Sequence, residues 1–158
     1  MVNFSLDKKI ALITGASRGI GEAIALSLAE YGATCILTSR KIEGLLAVVD
    51  KIKKNNGNAE AISCHVGYLE QIKELFQQIK DRFGRLDILI NNAATNPYFG
   101  EMINAGEGVW DKTLEVNLKG PFFMIQQAAK LMETSGGGAI VNTASIAGVR
   151  PGPMQGIY

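Results

Sequence analysis

A glycine-rich turn between the first apolar run and the first helical segment most strongly constrains how this chain can fold. The strand-like run at residues 9–14 (KIALIT) leads into Gly15, Gly19 and Gly21, and helical apolar spacing follows over residues 19–31. Glycines at these positions let the backbone turn sharply, approach an anion closely and pack the helix on the strand. Because the first N–H groups of a helix have no intrahelical partner, the turn predicts a pyrophosphate site.

Strand-like and helix-like segments alternate along the rest of the chain. Further strands are predicted at residues 33–38, 59–66, 86–90 and 139–143, with a turn at residues 55–58 and a long helix over residues 107–133. These strands are too apolar to face water, so we expect an α/β fold with a doubly wound, Rossmann-type parallel sheet of order 3-2-1-4-5. The 158 residues should form one domain, residues 1–158. Since the strand order reverses between strands 1 and 4, a ligand crevice is expected beyond their carboxyl ends.

Charge and composition argue against several classes of partner. Sixteen basic and fifteen acidic residues leave a net charge of +1, which gives no bulk field for nucleic acid or anionic lipid. No apolar stretch approaches the roughly 18–20 residues of a membrane span, and the N-terminus lacks the apolar segment of a signal peptide. We therefore expect a soluble, cytoplasmic protein. Cys35 and Cys64 have no CxxC pattern or ligand cluster nearby, so they predict buried thiols and no metal site.

The end of the second strand indicates which dinucleotide the turn would bind. It reads Thr38-Ser39-Arg40-Lys41, with no acidic residue before Glu43. A carboxylate here would hold a ribose 2′-hydroxyl and repel a 2′-phosphate, whereas Arg40 can grip that phosphate, with Arg18 closing from the glycine turn. NADP(H) is therefore favoured over NAD(H). A P-loop triphosphatase is disfavoured because the sequence lacks the Gly-Lys-Ser/Thr that closes a P-loop. A methyltransferase is disfavoured because such an enzyme normally has an acidic residue at the end of strand 2 to bind the ribose hydroxyls, and Arg40 stands there instead.

At this point the sequence resembles the short-chain dehydrogenase/reductase family. Residues 14–21 match its TGxxxGIG turn, residues 91–94 (NNAA) resemble its NNAG motif, and residues 92–100 are most similar to its NADPH-dependent carbonyl and retinol reductase branch. Asn117, Ser145 and Tyr158 match the family's catalytic residues, with the usual Ser-to-Tyr separation. The resemblance implies that the cofactor contacts are Gly15, Ser17, Arg18, Gly19, Ile20, Gly21, Arg40, His65, Val66, Asn91 and Ala93.

The sequence departs from the family's pattern at three places. Ala94 replaces the last glycine of NNAG, and His65 stands where the family usually has an aspartate that contacts the adenine. The family's catalytic lysine lies four residues after the tyrosine, and the sequence stops at Tyr158. We therefore expect a chain truncated relative to the family, with negligible turnover if it really ends there.

Carbonyl reduction gives the three catalytic candidates distinct roles. Ser145, just past strand 5, can hydrogen-bond the carbonyl oxygen, and Tyr158 can deliver the proton. A free tyrosine has a pKa of about 10, so it needs a nearby cation to act near neutral pH. Asn117 falls with Trp110 in the apolar stripe of the long helix, which we expect to be buried. Pro121 has no N–H for the Asn117 carbonyl, so we expect a kink there and an ordered water on that carbonyl, which the family's proton relay would use.

Two functions follow from these residues. The first is an oxidoreductase that interconverts a small-molecule carbonyl compound and an alcohol with NADP(H). The alternative is a catalytically inactive, truncated NADP(H)-binding module. The resemblance also implies a homo-oligomer.

Overall fold

The computed structural model describes residues 3–158 and confirms the alternation of strands and helices. The strands are β1 (Ile10–Thr14), β2 (Thr34–Ser39), β3 (Asn58–Ser63), β4 (Ile88–Asn91) and β5 (Ala139–Asn142). The α-helices are α1 (Gly19–Glu30), α2 (Ile42–Lys54), α3 (Leu69–Phe83), α4 (Glu107–Leu114) and α5 (Gly120–Glu133). Single 3-10 turns occur at Met102–Asn104 and Ile146–Gly148.

The five strands form one parallel sheet of order β3-β2-β1-β4-β5, as predicted. Leu12 in β1 pairs with Ile36 in β2 on one side and with Leu89 in β4 on the other. The chain moves outward from β1 to β3 and then returns to place β4 on the other side of β1. This reversal puts the carboxyl ends of β1 and β4 side by side at the switch point, where open α/β sheets bind ligands.

A separate apolar core covers each face of the sheet. One core contains residues of α3 and α5 together with Leu12, Ile36 and Leu89. The other contains residues of α1 and α2 together with Ile13 and Leu37. Adjacent residues of β1, β2 and β4 therefore enter opposite cores, which is why these central strands are apolar rather than alternating. The edge strands β3 and β5 are partly exposed, so the prediction that every strand is too apolar to face water was wrong for them.

The predicted bounds of the third strand were wrong at both ends. Asn58 pairs with Thr34 in the sheet, so it begins β3 rather than ending a turn. The strand ends at Ser63 instead of Val66. Beyond it the chain turns, because the Tyr68 N–H donates to the His65 carbonyl oxygen and the Gly67 N–H donates to the His65 ring.

The predicted long helix is interrupted. A π-helical turn at Glu115–Lys119 separates α4 from α5, and the Gly120 N–H donates to the Glu115 carbonyl oxygen five residues earlier. The interruption lies beside Pro121, which cannot donate to the Asn117 carbonyl, so the wider turn replaces ordinary α-helical bonding there. Trp110 was wrongly placed in the buried stripe, since it is 53% exposed on α4.

Both cysteines are buried free thiols, as predicted. Cys35 lies in β2 and Cys64 directly follows β3. Burial raises the pKa of each thiol to about 12, and the Glu74 carboxylate adds to the effect at Cys64. Among residues 3–158, none of the helices has the length and apolarity needed to cross a bilayer.

Candidate active site

The glycine turn after β1 packs directly against the loop after β4. A Cβ added at Gly15 would lie 2.9 Å from the Ala93 Cα, and one at Gly21 would overlap the Gly15 carbonyl oxygen and lie 2.6 Å from Asn92 Nδ2. Gly15 and Gly19 have φ values of +66° and +61°, in the left-handed region that favours glycine. No atom of the described residues lies within 4 Å of a Cβ at Gly19, so that glycine serves the turn's conformation rather than its packing.

The turn delivers the chain to the N-terminus of α1 with its backbone donors available. Arg18 is the N-cap residue and makes no side-chain capping bond. The first-turn N–H groups of α1 therefore keep their capacity for an external acceptor, in the positive field of the helix dipole. This donor set suits an anion such as a diphosphate.

A cavity of about 260 Å³ lies beside this turn, and we call it the glycine-turn cavity. It brings Arg18 and Arg40 together, so the two predicted phosphate-binding side chains share one site, and no Asp or Glu lines it among the described residues. The predicted cofactor residues that line it are Gly15, Ser17, Arg18, Arg40, His65, Val66 and Ala93. Four others, Gly19, Ile20, Gly21 and Asn91, are not part of its wall.

Thr14 and Asn92 fasten the glycine turn to the loop after β4. Both belong to motifs recognised in the sequence, but the hydrogen bonds that join them were not predicted. The buried Thr14 hydroxyl accepts hydrogen bonds from the Asn92 and Ala93 N–H groups, both at 2.9 Å, and donates to the Ile90 carbonyl oxygen at 3.3 Å. Asn92 Nδ2 donates to the Thr14 carbonyl oxygen at 3.0 Å. These contacts could have been expected from position, since Thr14 and Asn92 each lie where one of the two switch-point strands ends.

His65 lines the cavity from the turn after β3. Its Nδ1 accepts the Gly67 N–H at 3.0 Å, its Nε2 lies 2.9 Å from Lys112 Nζ on α4, and its ring stacks on Tyr68 with 4.3 Å between centroids. Burial lowers the pKa of His65, and the Lys112 and Arg40 cations lower it further. Near neutral pH the ring is therefore uncharged.

A second cavity, of about 510 Å³, is lined by Asn117, Ser145 and Tyr158 and so brings the three predicted catalytic residues together. We call it the Ser145 cavity. Its wall includes Leu118, Pro121, Phe122 and Ile125, and no charged side chain lines it within residues 3–158. Ala93 and Ala94 line both cavities, so the two sites meet at this point.

Asn117 binds the loop after β4 through its side chain. The π turn places its half-buried amide against Thr95, where Nδ2 donates to the Thr95 carbonyl oxygen and Oδ1 accepts the Thr95 N–H, both at 2.8 Å. Both hydrogen-bonding groups of this amide are therefore used to hold Thr95, which itself lines the glycine-turn cavity. The sequence identified Asn117 but not this partner.

Ser145 and Asn91 are further polar residues in the wall of the Ser145 cavity. The Ser145 Oγ accepts the Ala147 N–H at 3.1 Å, which leaves its hydroxyl hydrogen free to donate to a substrate oxygen. Asn91 is buried, and its Nδ2 donates to Asn142 Oδ1 at 3.0 Å, which joins β4 to β5. Asn91 lines the Ser145 cavity rather than the glycine-turn cavity.

Comparison with known proteins places this chain in a family. The sequence model described as short chain dehydrogenase matches residues 9–158. The chain is 39% identical to human dehydrogenase/reductase SDR family member 4 over 148 residues, which is 94% of this chain and 53% of the human protein. The chain thus spans about half the length of that relative.

Solved structures agree with this assignment. A metagenomic short-chain oxidoreductase in complex with NADP superposes with a TM-score of 0.92 at 36% identity, covering 97% of this chain and 69% of the other. A 7α-hydroxysteroid dehydrogenase complexed with NADH and 7-oxo glycochenodeoxycholic acid gives 0.93 at 30% identity, covering 99% and 60%. Similar folds therefore hold either dinucleotide.

Proposed function

Because this chain belongs to the short-chain dehydrogenase family, we propose that it is an oxidoreductase that interconverts a small-molecule carbonyl compound and an alcohol with NADP(H). The observation that carries the proposal is the junction at Ala93 and Ala94, where the glycine-turn cavity meets the cavity lined by Ser145 and Tyr158. Hydride transfer requires cofactor and substrate in near contact, and two adjoining cavities provide for that. The proposal treats residues 1–158 as a single dinucleotide-binding domain.

Within the proposal, the predicted cofactor residues divide by the part of the dinucleotide that each would hold. The glycine turn and the first turn of α1, with Ser17, Gly19, Ile20 and Gly21, hold the diphosphate. Arg18 and Arg40 hold the 2′-phosphate. This pair of cations, in a cavity wall with no Asp or Glu among residues 3–158, is the reason to favour NADP(H). His65 and Val66 lie at the base end, and Asn91 and Ala93 lie toward the nicotinamide end.

The chain's own side chains handle the substrate oxygen and the proton. The bound nicotinamide supplies or accepts the hydride. Ser145 donates a hydrogen bond to the carbonyl oxygen, and Tyr158 gives that oxygen its proton during reduction. Asn117 acts as a positioning residue, because its two bonds to Thr95 fix the loop that separates the two cavities.

Thermal unfolding with each dinucleotide tests the cofactor assignment. A ligand that binds only the folded state raises the Tm, so NADPH should raise it more than NADH at equal concentration. Arg40→Ala should remove most of this difference, because it deletes a charge-assisted contact to the 2′-phosphate. Lys54→Ala, which removes one exposed positive charge at the far end of α2, is the matched control and should preserve the difference. Equal shifts for NADPH and NADH in the unaltered chain would contradict the assignment.

Cofactor binding without turnover is the second candidate function. It is favoured by the uncharged wall of the Ser145 cavity in the described residues, since a tyrosine acid needs a neighbouring cation to lower its pKa. Loss of NADPH absorbance with a test diketone separates the two candidates. Turnover by this chain supports the oxidoreductase, whereas a Tm shift with NADPH and no turnover supports the binding module.

A further inference from the structure

His65 connects the turn after β3 to the helix α4. Its Nε2 lies 2.9 Å from Lys112 Nζ, and its Nδ1 faces the Gly67 N–H at 3.0 Å. The ring stacks on Tyr68 with 4.3 Å between centroids, and Lys112 Nζ lies 5.6 Å from the centroid of the Tyr68 ring. Both ring nitrogens are therefore directed at hydrogen-bond donors, and one of these donors carries a positive charge.

A neutral imidazole suits this arrangement, and a protonated one does not. The neutral ring has one lone pair, with which it accepts a hydrogen bond from one donor at a time. Protonation removes the lone pair, so ring N–H groups would then face both the Gly67 N–H and the Lys112 ammonium. It would also place two positive charges close together. Protonation of His65 therefore favours separation of the two side chains.

The other groups around the ring act on its protonation in opposite directions. Burial and the cations Lys112 and Arg40 lower the pKa of His65, whereas a backbone hydrogen bond at residue 65 and the Glu115 carboxylate act to raise it. Gln71 adds no charge, and its side chain accepts the His65 backbone N–H. Burial and the two cations outweigh the rest, so the pKa lies below the ordinary histidine value of about 6.5.

The helix α4 has little buried surface to hold it in place. Among the eight residues that the structure describes in α4, Thr113 alone is buried. Its hydroxyl donates to the Val109 carbonyl oxygen at 2.8 Å, within the same helix, so this bond does not join α4 to another element. Trp110 on this helix is 53% exposed. A segment with so few buried contacts can change position when one side-chain contact is lost.

We propose that His65 and Lys112 form a pH-sensitive switch, which holds α4 beside the turn after β3 while the imidazole is neutral and releases α4 when the imidazole takes up a proton. The proton comes from solvent, and the ring gains one positive charge with no other covalent change. The switch is independent of the proposed function, because it consists of side chains of this chain alone. Since α4 continues directly into the π turn that carries Asn117, the switch lies next to the proposed active site.

An NMR titration from about pH 8 to about pH 5 tests the switch, because the chain has one histidine and one tryptophan. The ring signals of His65 report protonation, and the indole signals of Trp110 report the surroundings of α4. We expect a His65 midpoint below about 6.5 and a change at Trp110 with the same midpoint. Trp110 signals that stay constant while His65 titrates would overturn the proposal. A midpoint above 6.5, or loss of the far-UV circular dichroism of the whole chain at the same pH, would overturn it as well.

Two variants locate the switch at this pair of residues. Lys112→Met removes the ammonium and keeps the side-chain length, so it should raise the His65 midpoint and abolish the pH response of Trp110. Lys130→Met, which removes an exposed positive charge from α5, is the matched control and should change neither quantity. His65→Gln supplies an amide oxygen that can accept from Lys112 at any pH, so its Trp110 signals should not respond over this range. A Trp110 response that persists in either folded variant at residue 65 or 112 contradicts the assignment.

Discussion

At the scale of single residues, this site depends on glycines that have no room for a side chain. Gly21 is buried where α1 begins, between the Gly15 carbonyl and the Asn92 amide. Close packing at Gly15 and Gly21, together with the positive φ at Gly15 and Gly19, explains why the spacing of three glycines could be recognised from sequence. Because Gly21 packs against both the Gly15 carbonyl and the Asn92 amide, the glycine turn and the loop after β4 must move together.

Gly21→Ala should distort the turn. We expect a loss of about 1–3 kcal/mol in the free energy of unfolding, since the new methyl group has to displace backbone. The Tm shift with NADPH should fall as well, because the amide donors no longer share one orientation. The matched control is Gly108→Ala in α4, where no atom lies within 4 Å of the added Cβ and the stability should stay equal or rise slightly. Urea unfolding of both variants measures the difference, and equal stabilities would contradict the packing described for Gly21.

Asp87 is a buried carboxylate at the opposite, amino end of the sheet. Burial acts to raise its pKa, but hydrogen bonds from Arg85, the Ile10 N–H and Lys9 outweigh burial and hold the pKa below its usual value. Its backbone also bonds β1 and β5, through Ile10 and Ala139. This residue therefore stabilises the sheet rather than contributing to the site.

Asp87→Asn should lower the free energy of unfolding by about 1–3 kcal/mol at pH 7, because cationic donors lose their charged acceptor. A depressed folded-state pKa contributes stability that is complete above the unfolded pKa of about 3.9 and is lost as the pH falls through the folded value. The difference in the free energy of unfolding between the unaltered chain and Asp87→Asn should thus be constant near neutral pH and should shrink toward zero in acid. Glu70→Gln, at an exposed ion pair with Lys73, should change stability by less than about 1 kcal/mol. A difference in the free energy of unfolding that grows on acidification would show that the pKa of Asp87 is not lowered in the folded state.

At the scale of elements, the π turn between α4 and α5 links the helix layer to the site. It presents Asn117 to Thr95, and it brings Gly120 so close to Val66 that a Cβ at Gly120 would lie 2.5 Å from the Val66 carbonyl oxygen. One helical irregularity thus contacts the walls of both cavities. The π turn lies next to Pro121, which has no N–H to donate, and this explains from the sequence why the α-helical bonding is interrupted there.

Asn117→Ala should release the loop after β4. Removing the amide leaves the Thr95 N–H and carbonyl unpaired, which we expect to cost about 1–3 kcal/mol of stability. Hydrogen exchange at the Thr95 amide should accelerate by more than the loss in the global free energy of unfolding explains. Gln126→Ala, on the exposed side of α5, is the control and should alter neither quantity. Unchanged protection of Thr95 in the Asn117 variant would contradict the tether.

The sequence allowed the element order and the sheet order to be predicted because these depend on repeated, redundant signals. Apolar runs, helical periodicity and right-handed crossovers all point to the same arrangement. The π turn, the end of β3 and the exposure of Trp110 were missed because apolar spacing does not report the bonding pattern within a helix, the last residue of a strand or how fully a helix face is covered. The pairs Asn117–Thr95 and His65–Lys112 join residues 22 and 47 positions apart, and no local pattern encodes such contacts.

At the scale of the whole molecule, β5 is an edge strand and apolar side chains remain exposed beside the Ser145 cavity. Val141 in β5 is 52% exposed, and Leu118 and Phe122, one helical turn apart, are 64% and 60% exposed. An open strand edge and adjoining apolar surface favour association with another chain. These two features are the physical basis on which we predict a homo-oligomer.

Sedimentation velocity tests association. A homo-oligomer requires a mass that is a multiple of 16.9 kDa, and raising the salt concentration should not dissociate it if apolar surface drives assembly. Ionic strength is the internal control, since contacts made by exposed ion pairs would weaken with salt. A single species of 16.9 kDa across micromolar concentrations would contradict the prediction.

The account as a whole depends on where a dinucleotide binds. A crystal structure of the chain grown with saturating NADPH tests this most directly. We predict the diphosphate against the N–H groups at the start of α1, the 2′-phosphate between Arg18 and Arg40, and the nicotinamide near Ala93 and Ala94. A diphosphate bound elsewhere, or a glycine-turn cavity free of cofactor at saturation, would contradict the account.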